Sequence, residues 1–123
     1  MPHFLSTIKK ITMEAIEMEI IEHPITGDKI KVAKNDLPEK MEWEQAKKAC
    51  EEIGNGWRLP SVDELKEIHR LKDDIGGFKL NQRYWSILEN GDSSAWYFDF
   101  PFGCDDSTSG RSNTGFVRAV KNL

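Results

Sequence analysis

Two cysteines, three histidines and the absence of any long apolar run are the first constraints on this 123-residue chain. A membrane-spanning helix needs roughly 18 consecutive apolar residues, and no stretch approaches that. Lys and Arg do not predominate: 17 of them face 21 Asp and Glu, for a net charge of -4. That balance argues against bulk capture of nucleic acid or of an anionic membrane surface. His3, His23 and His69 have neither the His-Glu spacing of a zinc hydrolase nor a serine-nucleophile motif beside them. Residues 1–16 lack a continuous apolar core and a small-residue cleavage pattern. The expected location is therefore the cytoplasm rather than outside the cell, with the cell surface or secretion as the alternative. In that setting Cys50 and Cys104 are expected to be free thiols. No internal repeat and no low-complexity segment occurs.

What the chain does have is a supply of large aromatics, four Trp and six Phe, enough for one core without disulfides. The expectation is a single domain over 1–123, with 1–36 as an N-terminal arm and hairpin. Its organising stretch is Gly54-Asn55-Gly56-Trp57-Arg58-Leu59-Pro60. Before it, Trp43, Ala46, Cys50 and Ile53 recur at helical spacing, predicting a helix over about 42–53. Gly54 suits a left-handed C-terminal cap. Trp57 and Leu59 point to one side of a short extended segment, and Pro60 ends it. Ser61 and Glu64 have capping-box spacing. Val62, Leu65, Ile68 and Leu71 then line the apolar face of a second helix over about 61–72.

Strands are predicted on both sides of these helices. Ile16, Met18 and Ile20 alternate with Glu17, Glu19 and Ile21, and Ile30 and Val32 alternate with lysines. The turn chemistry of 23–28 joins them into a hairpin. Phe4, Leu5, Ile8 and Ile11 fit one or two helical turns or an arm packed on a neighbour. Further strands are predicted over 84–88, 95–100 and 116–121, with a turn at 89–93 and a long polar loop over 101–114. Helices in the middle and strands at both ends make the fold α+β with an antiparallel sheet.

The order of Met41-Glu42-Trp43-Glu44, Gly56-Trp57-Arg58-Leu59-Pro60-Ser61, Ile75-Gly76-Gly77-Phe78, Tyr84-Trp85-Ser86, Ala95-Trp96-Tyr97-Phe98 and Val117-Arg118-Ala119-Val120 resembles the Lcl C-terminal domain family. The resemblance covers about 37–121. It implies a C-type-lectin-like fold, with two helices on a twisted antiparallel sheet, paired terminal strands and a long loop region. It also implies a binding module or an uncharacterised surface domain, in a family named after a bacterial collagen-like adhesin and long catalogued as a domain of unknown function. Secreted members often carry a last-strand cysteine able to pair with the helix cysteine; here Ala119 stands at that position.

The calcium-dependent sugar-binding loops of lectins are missing, so no metal or other cofactor is implied, although Asp92, Asp105 and Asp106 supply loop carboxylates. Oxidase chemistry of the formylglycine-generating kind needs two reactive thiols, and Cys50 on an apolar stripe is a poor candidate. Trp85 and Trp96 read as core. Tyr97 and Asp99 alternate with Trp96, Phe98 and Phe100 and are therefore the surface candidates of their strand. Arg118, on an apolar face, needs a buried carboxylate, with Glu64 or Asp99 expected to supply it. The 101–114 loop, with Asp105, Asp106, Arg111 and Asn113, has no packing role assigned. It is therefore expected to tolerate substitution while contacting a partner. The expected function is non-catalytic recognition of a protein or glycan through this loop and the 89–93 turn. The alternative is assembly through the N-terminal segment into a homo-oligomer, and a second binding region is the hairpin of 15–34.

Overall fold

The computed structural model describes residues 18–101 and 103–123. The expectations for Phe4, Leu5, Ile8, Ile11 and Ile16 lie outside the described residues. The chain is α+β, with three helices packed against two three-stranded antiparallel sheets. In order they are β1 (Met18–Glu22), β2 (Lys29–Ala33), α1 (Trp43–Ile53), α2 (Val62–Arg70), the single turn α3 (Lys72–Ile75), β3 (Arg83–Asn90), β4 (Ser94–Asp99), β5 (Cys104–Gly110) and β6 (Val120–Asn122).

One sheet runs β1-β2-β6, so strands from the two ends of the described chain are paired, Ile30 opposite Asn122 and Val32 opposite Val120. The other runs β3-β4-β5. A parallel bridge between Tyr84 and Phe116 links the last segment of the chain to β3. The single sheet expected from the sequence is therefore two. Residues 116–119, expected as strand, instead run mostly as isolated contacts between the sheets.

Helix α1 begins after Glu42, whose backbone N–H donates to the Gln45 side chain at 3.3 Å. All four members of its stripe, Trp43, Ala46, Cys50 and Ile53, are buried. At its end Gly54 takes φ +83° with ψ -175°, not the left-handed helical cap expected; Asn55 follows at φ +57°. Both depend on a residue that tolerates positive φ. Trp57 and Leu59 are buried on one side, while Arg58 exchanges backbone hydrogen bonds with Val120 at 2.8 and 3.0 Å. Pro60 accepts from Ile87 N–H at 2.8 Å, so the junction between the helices touches both sheets. Ser61 and Glu64 then close the capping box: Glu64 N–H donates to Ser61 Oγ and Ser61 N–H to Glu64 Oε1.

Two apolar clusters result. One gathers Trp43, Cys50, Trp57, Leu59, Trp85 and Val117 beneath α1. The other gathers Ile30, Val32, Leu65, Ile68, Tyr84 and Phe98 beneath α2. Strand β4 serves both, with Ala95 and Tyr97 in the first and Phe98 and Phe100, at and just beyond its end, in the second. The buried indoles find acceptors: Trp43 Nε1 donates to Ser86 O at 2.8 Å and Trp85 Nε1 to Met41 O at 2.9 Å. Gly115 is required beneath Trp85, since a Cβ there would stand 2.9 Å from its Nε1. Cys50 carries a free thiol with no exposed surface, and burial pushes its pKa up to about 12. Such a thiol is inert as a nucleophile.

Trp57→Ala removes a large side chain that packs with the α1 stripe in the first cluster, at the junction between the two helices. Its expected cost is about 3–5 kcal/mol in urea denaturation; an unchanged midpoint would mean that the junction does not depend on Trp57.

Candidate functional site

The seven candidate residues fall on the β3-β4-β5 sheet and its turns, in two groups. Asp92, Arg111 and Asn113 lie at one end, where the β3–β4 turn meets the exit from β5. Asp92 is exposed, and Asn113 donates its backbone N–H to Gly110 O at 3.0 Å. Tyr97, Asp99, Asp105 and Asp106 lie toward the other end. The stretch expected as a long loop contains a strand. Backbone pairing sets Ser107 opposite Tyr97 and Cys104 opposite Asp99, with Asp105 and Asp106 in the register shift between them. Such an irregularity bends the strand and re-aims its neighbours.

Arg83 pairs directly opposite Asp99 on β3, and Trp85 opposite Tyr97, so these four share one face of the sheet. The Tyr97 ring meets Trp85 edge-on, with centroids 6.4 Å apart. The Arg83 guanidinium stands 4.8 Å from the Tyr97 centroid, within cation–π range. Trp85 is buried, Tyr97 and Asp99 are half-buried and Arg83 is exposed. Alternation along β4 points to Tyr97 and Asp99, whereas Arg83 is brought to them by cross-strand pairing alone. Trp96 is half-buried rather than core. His69, expected as a plain helix-side residue, packs against Phe98 and Phe100 and lies 3.1 Å from Phe100 O through Nε2.

Arg111 departs from expectation. Its guanidinium stands 4.5 Å from the Trp43 ring centroid. Nη1 donates to Glu44 at 3.1 Å, Nη2 to Gly91 O at 2.6 Å, and Nε to Ser94 O at 3.2 Å. Glu89 adds an ion pair at 3.4 Å. The residue thus fastens the start of α1, the β3–β4 turn and the exit of β5 together. The expectation that this region does no packing fails at Arg111, because the planar guanidinium can serve three acceptors and a ring face at once.

Arg118 is buried as expected, but its carboxylate is Asp36, not Glu64 or Asp99. Nε donates to Asp36 Oδ1 at 2.8 Å, and Nη1 donates to Ala33 O at 2.9 Å and Gly76 O at 3.1 Å. The guanidinium lies 3.8 Å from the Phe78 ring centroid. Tyr84 donates its hydroxyl to Asp36 Oδ2 at 2.7 Å and accepts from Lys79 N–H. Burial pushes the Asp36 carboxyl above its ordinary value despite the opposing pull of Arg118 and Tyr84. Burial also raises the Tyr84 hydroxyl, which remains a donor. This network is internal and structural. Glu64 belongs elsewhere, paired in bidentate fashion with Arg58 at 2.7 and 2.8 Å. Burial alone would raise Glu64, but the hydrogen bonds from Arg58 and Ser61 outweigh it and hold the carboxyl below the ordinary 4.5.

Among the described residues no three His, Cys, Asp or Glu side chains gather as a metal site, and no helix is long and apolar enough to cross a membrane. The profile of the Lcl C-terminal domain matches residues 24–121. The chain belongs to that family. The Lcl C-terminal domain begins here earlier than the sequence motifs indicated, since the match opens in the β1–β2 turn and takes in the whole of β2. No curated protein matches the chain.

Arg111→Ala is expected to cost about 2 kcal/mol, the sum of partly exposed charged hydrogen bonds and a ring contact. Arg111→Lys should recover less than half of that in urea denaturation, because an ammonium lacks the fork. The Arg58–Glu64 pair should contribute to acid sensitivity. Glu64 is depressed in the folded state, so its ionised form stabilises the fold above 4.5. That contribution disappears as pH falls from 4.5 toward the lower folded value. The stability gap between wild type and Glu64→Gln should be constant near neutrality and shrink below 4.5 in pH-dependent denaturation.

Proposed function

We propose that this Lcl C-terminal domain is a non-catalytic binding module that recognises a protein or glycan partner through the β3-β4-β5 sheet. The observation that carries the reading is the Arg83–Tyr97–Asp99 group. There a half-buried aromatic ring is held between a buried indole and an exposed guanidinium, beside a carboxylate. Aromatic rings and arginines anchored in this way are the residues that dominate recognition surfaces. Both signs of charge are present, which favours a specific polar contact over bulk attraction. Asp105 and Asp106 follow on the adjoining strand, and Asp92 extends the surface at the far turn. Asn113 lies at the same end of the sheet as Asp92, whereas Arg111 contributes by holding the turn in place.

The arrangement of helices on antiparallel sheets, with β2 and β6 joining the two ends, supports a C-type-lectin-like scaffold for this role. The absence of catalysis is part of the proposal, and the inert Cys50 thiol supports it against an oxidase reading. Self-association is favoured by one observation. Among the described residues β1 forms the edge of its sheet, and its Ile20 is 53 % exposed. An edge strand of this kind is a template for pairing with another chain.

The test compares wild type with Arg83→Ala and Asp99→Asn on a glycan array and in a protein-interaction screen, with sedimentation run in parallel. Both variants should keep Tm within about 3 °C, as substitutions away from the core do. Each should lose at least about tenfold in affinity for any ligand the wild type binds. Ligands bound equally by all three proteins would remove the sheet face from the binding site. A concentration-dependent dimer lost in Ile20→Lys would favour assembly instead.

A further inference from the structure

The turn of the β1–β2 hairpin, the Arg58–Glu64 pair and the end of β6 enclose a cleft of about 430 Å³. Its elements are separate from the sheet face of the proposed partner site. The exposed Leu123 side chain contributes an apolar part of its lining, above the buried Ile30. Arg58 and Glu64 neutralise each other there. Arg58 Nη1 also donates to Leu59 O, and Nη2 to Asn122 Oδ1 at 2.6 Å. The pair is thus a spent, rigid wall rather than a free charge.

Two other side chains have their remaining donors fixed by what their acceptors already do. His23 Nδ1 accepts from the backbone N–H groups of Ile25 at 3.1 Å and Thr26 at 3.3 Å. An accepting Nδ1 carries no proton, so the neutral ring carries it on Nε2 as a donor. Asn122 Oδ1 is held by Arg58, which assigns the other side of the amide to its two N–H donors. Lys29 adds an exposed ammonium on the same cleft. Asp28 also lines the cleft and brings one carboxylate to it. Preset donors around an oxygen ligand recognise an anion, because nothing has to be reoriented when it arrives. The carboxylate at Asp28 disfavours a second negative charge on that ligand.

We propose that this cleft binds a small organic monocarboxylate, its oxygens on His23 Nε2, Asn122 Nδ2 and Lys29 Nζ and its carbon chain toward Leu123. The site is independent of the sheet-face reading, and neither needs the other.

The test is a titration of the full chain with butyrate at pH 7.5, followed by nitrogen-15 and carbon-13 NMR, with inorganic phosphate as the comparison. Butyrate should shift the His23 ring and the Asn122 side-chain amide together and saturably, and phosphate should shift them less. Asn122→Asp keeps an oxygen for Arg58 but replaces the donor with a negative group; it should weaken butyrate binding about tenfold or more. Lys29→Gln, at an exposed position with no fold-critical contact, should weaken it with unchanged Tm. An absence of saturable shifts, equal or greater shifts with phosphate, or unchanged butyrate affinity in Lys29→Gln would each overturn the proposal.

Discussion

A guanidinium with no exposed surface sets the terms for the centre of this fold. Removing an arginine from water is expensive unless its charge is matched and its N–H groups are engaged. Arg118 meets most of that demand through Nε and Nη1, with partners from three separate segments: the end of β2 at Ala33, the following loop at Asp36, and the turn at Gly76. Among the described residues its Nη2 is the buried side-chain nitrogen left without a hydrogen bond. Phe78 covers its face. The turn must come very close to do this. Gly77 adopts φ +79°, and a Cβ there would lie 2.9 Å from Lys34 O and 3.3 Å from Arg118 Nη2. The glycine at 77 is thus tied to the close approach of this turn to Lys34 and the buried guanidinium. The position of Tyr84 is tied to the buried charge through Asp36, whose second oxygen its hydroxyl satisfies, anchoring the start of β3. One desolvated group thereby places the terminal segment, the loop after β2 and the entry to the second sheet relative to one another.

Elements with a periodic apolar face or a local capping signal were legible in the sequence. The stripe of α1, the Ser61–Glu64 box and the alternating side chains around Trp57 and Leu59 are all short-range patterns, and each sits where those patterns place it. β5 was not legible, because Cys104–Gly110 is held at the edge of its sheet by backbone pairing and has no apolar alternation to reveal it. Asp36 was missed for a related reason. The rule that a buried arginine needs a carboxylate says nothing about which one, and Asp36 stands in an unremarkable polar loop. Arg111 reads in sequence as one more charged residue among Ser, Asn and Gly. Only the approach of Trp43 and Glu44 from a distant helix reveals its packing role.

The candidate site shows the same division. Tyr97 and Asp99 could be picked out by alternation along one strand, whereas Arg83 joins them only through cross-strand register. Asp92, Arg111 and Asn113, close in sequence terms to the other candidates, cluster at the opposite end of the sheet around a turn that Arg111 holds shut. Membership of the Lcl C-terminal domain family accounts for the scaffold. Recognition, if it resides on this sheet, depends on side chains whose positions are fixed by pairing rather than by any contiguous motif.

The pairing of β2 with β6 has a consequence for how the protein comes into being. The hairpin strands of β3, β4 and β5 are near neighbours in sequence and can associate as soon as they leave the ribosome. β2 cannot complete its sheet until Val120–Asn122 has emerged, so Ile30 and Val32 wait without their final neighbour while the helices and the second sheet are being made. The nascent chain therefore carries an unfinished, apolar strand edge until that segment leaves the ribosome. That interval is when a chaperone has most to protect.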